Sequence, residues 1–320
     1  MKPNYYLDIR SKDSSLIEEK VLSENEKKVN QIIKLLKKTT VFNIIKKHID
    51  EKNVIFILEK YFFELTNNLS SQIEINKLKN SNKIILDDYI HSDILKLYST
   101  KKLKYKKTNK YYLNFLKIYF HFYKKKFYNL INYFYHDNKN ISISTNISVQ
   151  YAEGHDLFKK SDFAPFVNYP KIKKNIIVWF SDNSDFLKYK KKKDKNIYQS
   201  LKEYKVIKLP KNIFFKKERV LNNLEIELTN IRGGSLDSYI AKIFIKFISD
   251  IEFWYSFYKK FNIRISIFQN NKGLSNAFSY IALDYLNGCS IAKVKSIPNL
   301  KKGFFYNYYC HDIVFSWSKI

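Results

Sequence analysis

The densest group of side chains able to do chemistry is Glu153-Gly154-His155-Asp156, with Lys159, Lys160, Ser161 and Asp162 close behind. A carboxylate beside an imidazole can act as general base and orienting partner toward a sugar hydroxyl. Gly154 lets the backbone turn sharply, so that Glu153 and His155 are aimed into one cleft. Glu153, His155 and Asp156 are therefore the catalytic candidates, and Lys159, Lys160 and Asp162 the candidates for substrate contact. The same residues also suit a polar turn whose acids pair with the lysines.

A second group is Arg232-Gly233-Gly234-Ser235. Two glycines permit close backbone approach, and Ser235 is suited to cap the helix that follows. A helix N-terminus beside an arginine suits a phosphate or a carboxylate. Asp237, in the first helical turn, works against an anion, and the turn also reads as a plain link into a helix. Elsewhere the chemistry is thin. His48, His91, His121 and His136 are scattered over the expected helices, and there is no GxSxG, DxD or HExxH. His311-Asp312 precedes the final strand and receives no role. The sequence assigns no metal and no cofactor.

The elements that must position these residues can be read from where glycine falls. All six glycines lie at or beyond Gly154, and Pro3 is the only proline in the first half. Without φ > 0 residues, hairpins and phosphate loops are difficult to build. The expected fold class is α/β: a helical domain over 1–138, then a Rossmann-like, mostly parallel domain over 139–320. Ser15-Leu-Ile-Glu18 and Ser23-Glu-Asn-Glu26 have the form of capping boxes. Helices are expected through Val29–Leu36, over about 41–49, 53–68 and 86–98, with a loop over 75–84. In the back half the strands are expected at 141–149, 176–180, 206–209, 263–268, 290–294 and 312–316. Residues 236–261 and 274–287 read as helices, and the run just before Asn230 as strand-like. Lys190 to Lys193 reads as a solvated charged run.

Three stretches resemble bacterial surface-carbohydrate biosynthesis proteins, transferases on a two-Rossmann, glycosyltransferase GT-B-like plan. They are Val41 to Leu69, Val149-Gln-Tyr-Ala-Glu-Gly-His-Asp-Leu-Phe-Lys-Lys-Ser-Asp162, and His311-Asp-Ile-Val-Phe-Ser-Trp317. The resemblance implies the acceptor-side half of such an enzyme, with a nucleotide-sugar donor and a glycan acceptor as substrates. In that family the Trp strand is followed by a donor-binding half, whereas this chain stops at Ile320, and Ser318 stands where glycine is usual. The expectation is a chain that is truncated, works with a separate donor half, or is inactive. Residues 182–260 match nothing in the family.

The formal charge of +28 points toward nucleic acid or an anionic membrane surface. Only four residues are arginine (Arg10, Arg219, Arg232, Arg264), and the bidentate fork that reads base edges is therefore scarce, which argues against specific nucleic-acid recognition. Lys, Asn, Ile, Phe and Tyr are abundant, and their A/T-rich codons account for much of the charge as genome bias. The lysines concentrate between Ile94 and His136, where eleven of them and no acidic residue are interleaved with Tyr and Phe. That segment reads as a core helix with snorkelling lysines, or as a helix lying on an anionic bilayer or stacking on nucleic acid. A non-catalytic protein using this surface on an anionic membrane or nucleic acid is the alternative to the transferase. Cys289 and Cys310 read as buried thiols in a reducing compartment. The N-terminus has no signal-peptide form, and no run of 18 apolar residues exists. The expected location is cytoplasmic, with peripheral contact at the inner face of the plasma membrane.

Overall fold

A computed structural model describes residues 12–78, 82–98, 103–118, 120, 147–151, 175–181, 183–193, 195–209, 217–268, 274–294 and 312–316. The described residues fall into two units. One gathers residues within Met1–Ile131 and Leu221–Lys246. The other gathers residues within Asn132–Val220, Phe247–Pro298 and Tyr309–Ile320.

The first unit is built on α1 (Lys12–Leu36), α2 (Thr40–Ile45) and α3 (Glu51–Leu78). Val29, Ile32, Ile33 and Leu36 recur at helical spacing on α1 and are buried, as are Val54, Ile57, Leu58 and Phe62 on α3. Both expected capping boxes lie inside α1 rather than at its start, because the helix begins at Lys12. The cap that forms is Thr39, whose Oγ1 accepts from Phe42 N at 3.2 Å and donates to Leu36 O at 2.7 Å.

Asn25 ties α1 to its neighbours through a buried polar hub. Its Nδ2 donates to Phe63 O at 3.1 Å. Its Oδ1 accepts from Thr66 Oγ1 at 2.8 Å, Ser70 Oγ at 2.9 Å and Tyr98 OH at 3.4 Å. Replacing Asn25 with Ala removes the centre of this hub, although Thr66 Oγ1 keeps Phe62 O at 2.6 Å, and should cost about 2 kcal/mol. The loss is measured as a lower urea midpoint at unchanged slope. An unchanged midpoint would mean that water replaces the amide.

The front half is not wholly helical, which corrects the expectation of an all-helical domain. Residues read as a loop continue α3 to Leu78 and then form β1 (Lys83–Leu86). After α4 (Ser92–Tyr98), β2 (Lys104–Lys107) pairs with β1 in parallel. The outer edge of β1 is closed by a side chain: Gln72 donates to Ile85 O and accepts from Ile85 N, both at 2.8 Å. Three of the four residues of β2 are lysine, a composition that keeps a free strand edge from pairing. Residues 109–118 are helical.

The second unit is a six-stranded, all-parallel sheet of β3 (Ile147–Tyr151), β4 (Ile176–Phe180), β5 (Lys205–Lys208), β6 (Ile265–Phe268), β7 (Cys289–Val294) and β8 (Ile313–Ser316). The strands lie in the order β5-β4-β3-β6-β7-β8. Helices α5 (Asn183–Lys190) and α6 (Lys195–Leu201) follow β4. The chain then passes through α7 (Asn222–Thr229) and α8 (Leu236–Lys260), whose residues from Phe247 count with this unit. Helix α9 (Leu274–Asp284) joins β6 to β7.

The α/β class and the parallel sheet agree with the sequence reading. Besides β1 and β2, a further element departs from that reading: the strand-like run before Asn230 is α7. Its buried residues Leu221, Leu224, Glu225 and Leu228 fall at i, i+3, i+4 and i+7, and that period outweighs the local alternation.

Side chains alternate between the two faces of the sheet. On one face Val149, Tyr151, Ile176, Val178, Phe180, Leu201 and Ile267 form a core, with Phe186 and Tyr189 of α5 against it. On the other face, Trp179 meets Trp254 of α8 at 5.3 Å between ring centroids. Phe247 of α8 meets Phe278 of α9 at 5.1 Å. Helices thus cover both faces.

Candidate functional site

Numbered in chain order, the six strands lie 3-2-1-4-5-6. The order reverses between β3 and β6. From the central pair the sheet grows outward in both directions, with α5 and α6 on one face and α8 and α9 on the other. In sheets of this kind the ligand crevice lies beyond the carboxyl ends of the two central strands, where the connections leave toward opposite faces. Here those ends are Tyr151 and Phe268.

The serines at the start of the central strands set the chemistry of one face. Ser148, Ser266 and Ser290 are register partners across β3, β6 and β7, and all are fully buried. Ser148 Oγ and Ser266 Oγ are 2.8 Å apart, and Tyr258 OH donates to Ser266 Oγ at 3.3 Å. Complete burial pushes the Tyr258 phenol well above its ordinary range, only partly offset by the hydroxyls of Ser266 and Ser279. It is therefore a neutral hydrogen-bonding group, not a base. Ser290 closes the next junction. Its N and Oγ donate to Asp312 Oδ2 at 2.7 and 3.1 Å, and Asp312 N donates to Ser290 Oγ at 3.2 Å. Asp312 is a clasp between β7 and β8. Cys289, half-buried beside it, has its thiol raised by burial and by that carboxylate, which argues against a reactive thiolate.

Nearer the carboxyl end, Gln150 and Trp179 are register partners on β3 and β4. Gln150 Oε1 and Trp179 Nε1 are buried with no hydrogen-bond partner among the described residues. The serine ladder and this pair were missed in the sequence. The signal was present: each of β3, β6 and β7 places a serine between apolar residues near its start, in Ile-Ser-Val, Ile-Ser-Ile and Cys-Ser-Ile.

Glu153, His155, Asp156, Lys159, Lys160 and Asp162 lie outside the described residues. Their segment follows Tyr151, the last residue of the strand on one side of the reversal. Cys310, His311 and Trp317 are also outside the described residues.

Arg232, Gly233, Gly234 and Ser235 belong to the first unit and are exposed. Gly233 has φ +100°, a conformation that favours glycine. Ser235 Oγ accepts from Ser238 N at 3.3 Å, so the expected helix cap forms. His91 Nε2 lies 3.1 Å from Gly234 O, and Asp93 N donates to His91 Nδ1 at 3.3 Å, which fixes the proton on Nε2. Asp237 does more than oppose an anion. Its Oδ1 accepts from Val41 N at 2.8 Å and so caps α2 from outside that helix. The turn therefore carries structural bonds whatever else it binds.

Among the described residues no group of three His, Cys, Asp or Glu side chains is placed to hold a metal ion. No helix among them is long and apolar enough to cross a membrane. No family model matches this chain, and comparison with curated proteins and with solved structures likewise finds no match.

Proposed function

We propose that this protein is a glycosyltransferase-like protein of surface-polysaccharide assembly, acting in the cytoplasm as the acceptor-side half of a two-Rossmann enzyme. The observation that carries the reading is the strand reversal between β3 and β6. The sequence that follows β3 there is the carboxylate, glycine, imidazole run 153–156. A ligand site at that position needs a base, and neither Tyr258, which is held neutral, nor Cys289, whose thiol is raised, is suited to be one.

In this reading Glu153 or His155 takes the proton from an acceptor hydroxyl, Asp156 orients the imidazole, and Lys159, Lys160 and Asp162 contact substrate. Arg232 and the Gly233–Ser235 turn hold an anionic group. The substrates are a nucleotide-sugar donor and a glycan acceptor.

The test is transfer from uridine diphosphate sugars to a glycan acceptor by wild type, Glu153→Gln and His155→Asn, with acceptor binding followed by calorimetry. Loss of the base should lower kcat by at least about a hundredfold while leaving acceptor affinity within about twofold. Equal rates in all three would remove the assigned roles. The absence of both transfer and acceptor binding in wild type would remove the transferase reading.

A further inference from the structure

The helix over 109–118 is apolar on two opposite sides. Its inner side is fixed to the first unit. Tyr111 is buried, and its ring and that of Phe115 lie 5.4 and 4.7 Å from Tyr89. Asn114 Nδ2 donates to Asp88 Oδ1 at 2.8 Å, and Thr108 Oγ1 donates to Asp87 Oδ1 at 2.9 Å. The outer side carries Tyr112, Leu113, Leu116 and, one turn on, Phe120, which are 54%, 56%, 57% and 68% exposed. At about 100° per residue these four fall in one arc of roughly 100°. A core helix would have buried that arc. Lys110 and Lys117 are exposed on its flank, and Lys104, Lys106 and Lys107 of β2 are exposed just before it. The nearby carboxylates, Asp87 and Asp88, are engaged on the inner side.

We propose that this face, Tyr112, Leu113, Leu116 and Phe120 with Lys110 and Lys117, docks the protein on an anionic bilayer surface. An apolar arc flanked by cations is the pattern of a helix lying in the headgroup plane, its apolar side chains entering the acyl boundary and its lysines meeting lipid phosphates. Charge complementarity selects the membrane: the segment from Ile94 to His136 has eleven lysines and no acid, within a chain of net charge +28. Aromatic and aliphatic side chains together favour a bilayer over RNA, because Leu113 and Leu116 have no base to stack on. This inference is independent of the transferase reading, since it needs no ligand at the sheet.

The experiment is co-sedimentation of the full chain with vesicles of phosphatidylcholine alone and of phosphatidylcholine with about a third phosphatidylserine. Binding is expected to the second and to be weak to the first. The triple variant Leu113→Ser/Leu116→Ser/Phe120→Ser should bind at least about tenfold more weakly. Its melting temperature and far-ultraviolet circular dichroism should match wild type, because the three side chains face solvent. Should that variant fold poorly, Lys110→Gln/Lys117→Gln serves instead, with about fivefold weaker binding expected for each lysine. The proposal is overturned if wild type ignores the anionic vesicles, or if either folded variant binds them as wild type does. It is equally overturned if the triple variant abolishes RNA binding or self-association instead.

Discussion

Raising the pH from about 9 to about 12 is expected to unfold the protein cooperatively. Burial pushes Tyr98 up to about 12, against hydroxyls of Thr66 and Ser70 that pull it partly back. Burial pushes Tyr61 up to about 12 as well. The wholly buried Tyr239 and Tyr258 are raised too, Tyr239 also by its neighbour Tyr61. In the unfolded chain each phenol titrates near the ordinary value of 10.0. These are groups raised on folding, so their contribution to stability is complete below pH 10 and is lost as the pH rises through the folded values. Within that window the unfolded state releases protons that the folded state retains. Each such tyrosine removes about 1.4 kcal/mol per pH unit. Tyr98, Tyr239 and Tyr258 together remove about 4 kcal/mol per unit, against a total stability of about 5–15 kcal/mol.

Lysines titrate in the same range, but with the opposite sense. Neutralising exposed ammonium groups relieves the self-repulsion of a +28 chain and stabilises the compact state. The tyrosine effect dominates because its charged form must be buried, whereas the lysines keep their water. Urea midpoints between about pH 8 and pH 11, with tyrosinate absorbance followed in parallel, check the outcome. A midpoint that stays level above pH 10 would show that these phenols ionise without unfolding. Tyr98→Phe should flatten the slope by about one proton.

How much could be read from the sequence depended on whether a signal was local or came from pairing. Ile176–Phe180 was legible to the residue, because five consecutive β-branched and aromatic residues have few other uses. The long helix from Leu236 was legible too, from its period and from Ser235 at its start. Lys83–Leu86 and Lys104–Lys107 were not legible. A four-residue run such as Lys-Tyr-Lys-Lys has no period of its own, and it is a strand only because β1 lies beside it, with Gln72 closing the other edge of β1. Strand order was illegible for the same reason. Each strand could be seen alone, yet the reversal between β3 and β6 depends on which edges meet. As to the site, the run 153–156 was singled out by its own chemistry, and it lies outside the described residues. The Ser148, Ser266 and Ser290 row was passed over, because a serine among apolar residues is conspicuous only when three of them line up in register.

Gly288 gives the sharpest single-residue consequence of the sheet. It follows α9, where Asn287 adopts φ +52°, and its N donates to Leu283 O at 2.9 Å to stop the helix. The next residue starts β7, with Cys289 N donating to Arg264 O at 2.7 Å. A Cβ at Gly288 would lie 2.7 Å from that same Arg264 carbonyl and 2.9 Å from Leu283 Cδ2. The oxygen is main chain and already bonded to Cys289, so it cannot withdraw without breaking the junction of β6 and β7. Gly288→Ala should therefore destabilise by about 3 kcal/mol. The other glycines calibrate it. At Gly233 a Cβ meets nothing, but φ +100° strains any L residue, so Ala should cost about 1 kcal/mol. At Gly234 there is open space and no positive φ, so Ala should be neutral or stabilise by about 0.5 kcal/mol through the unfolded state. Three urea curves test the order Gly288, Gly233, Gly234. An Ala at Gly288 tolerated as well as one at Gly234 would mean that β7 does not begin against Arg264. The pairing of β6 with β7, and with it that side of the sheet, would then have to be redrawn.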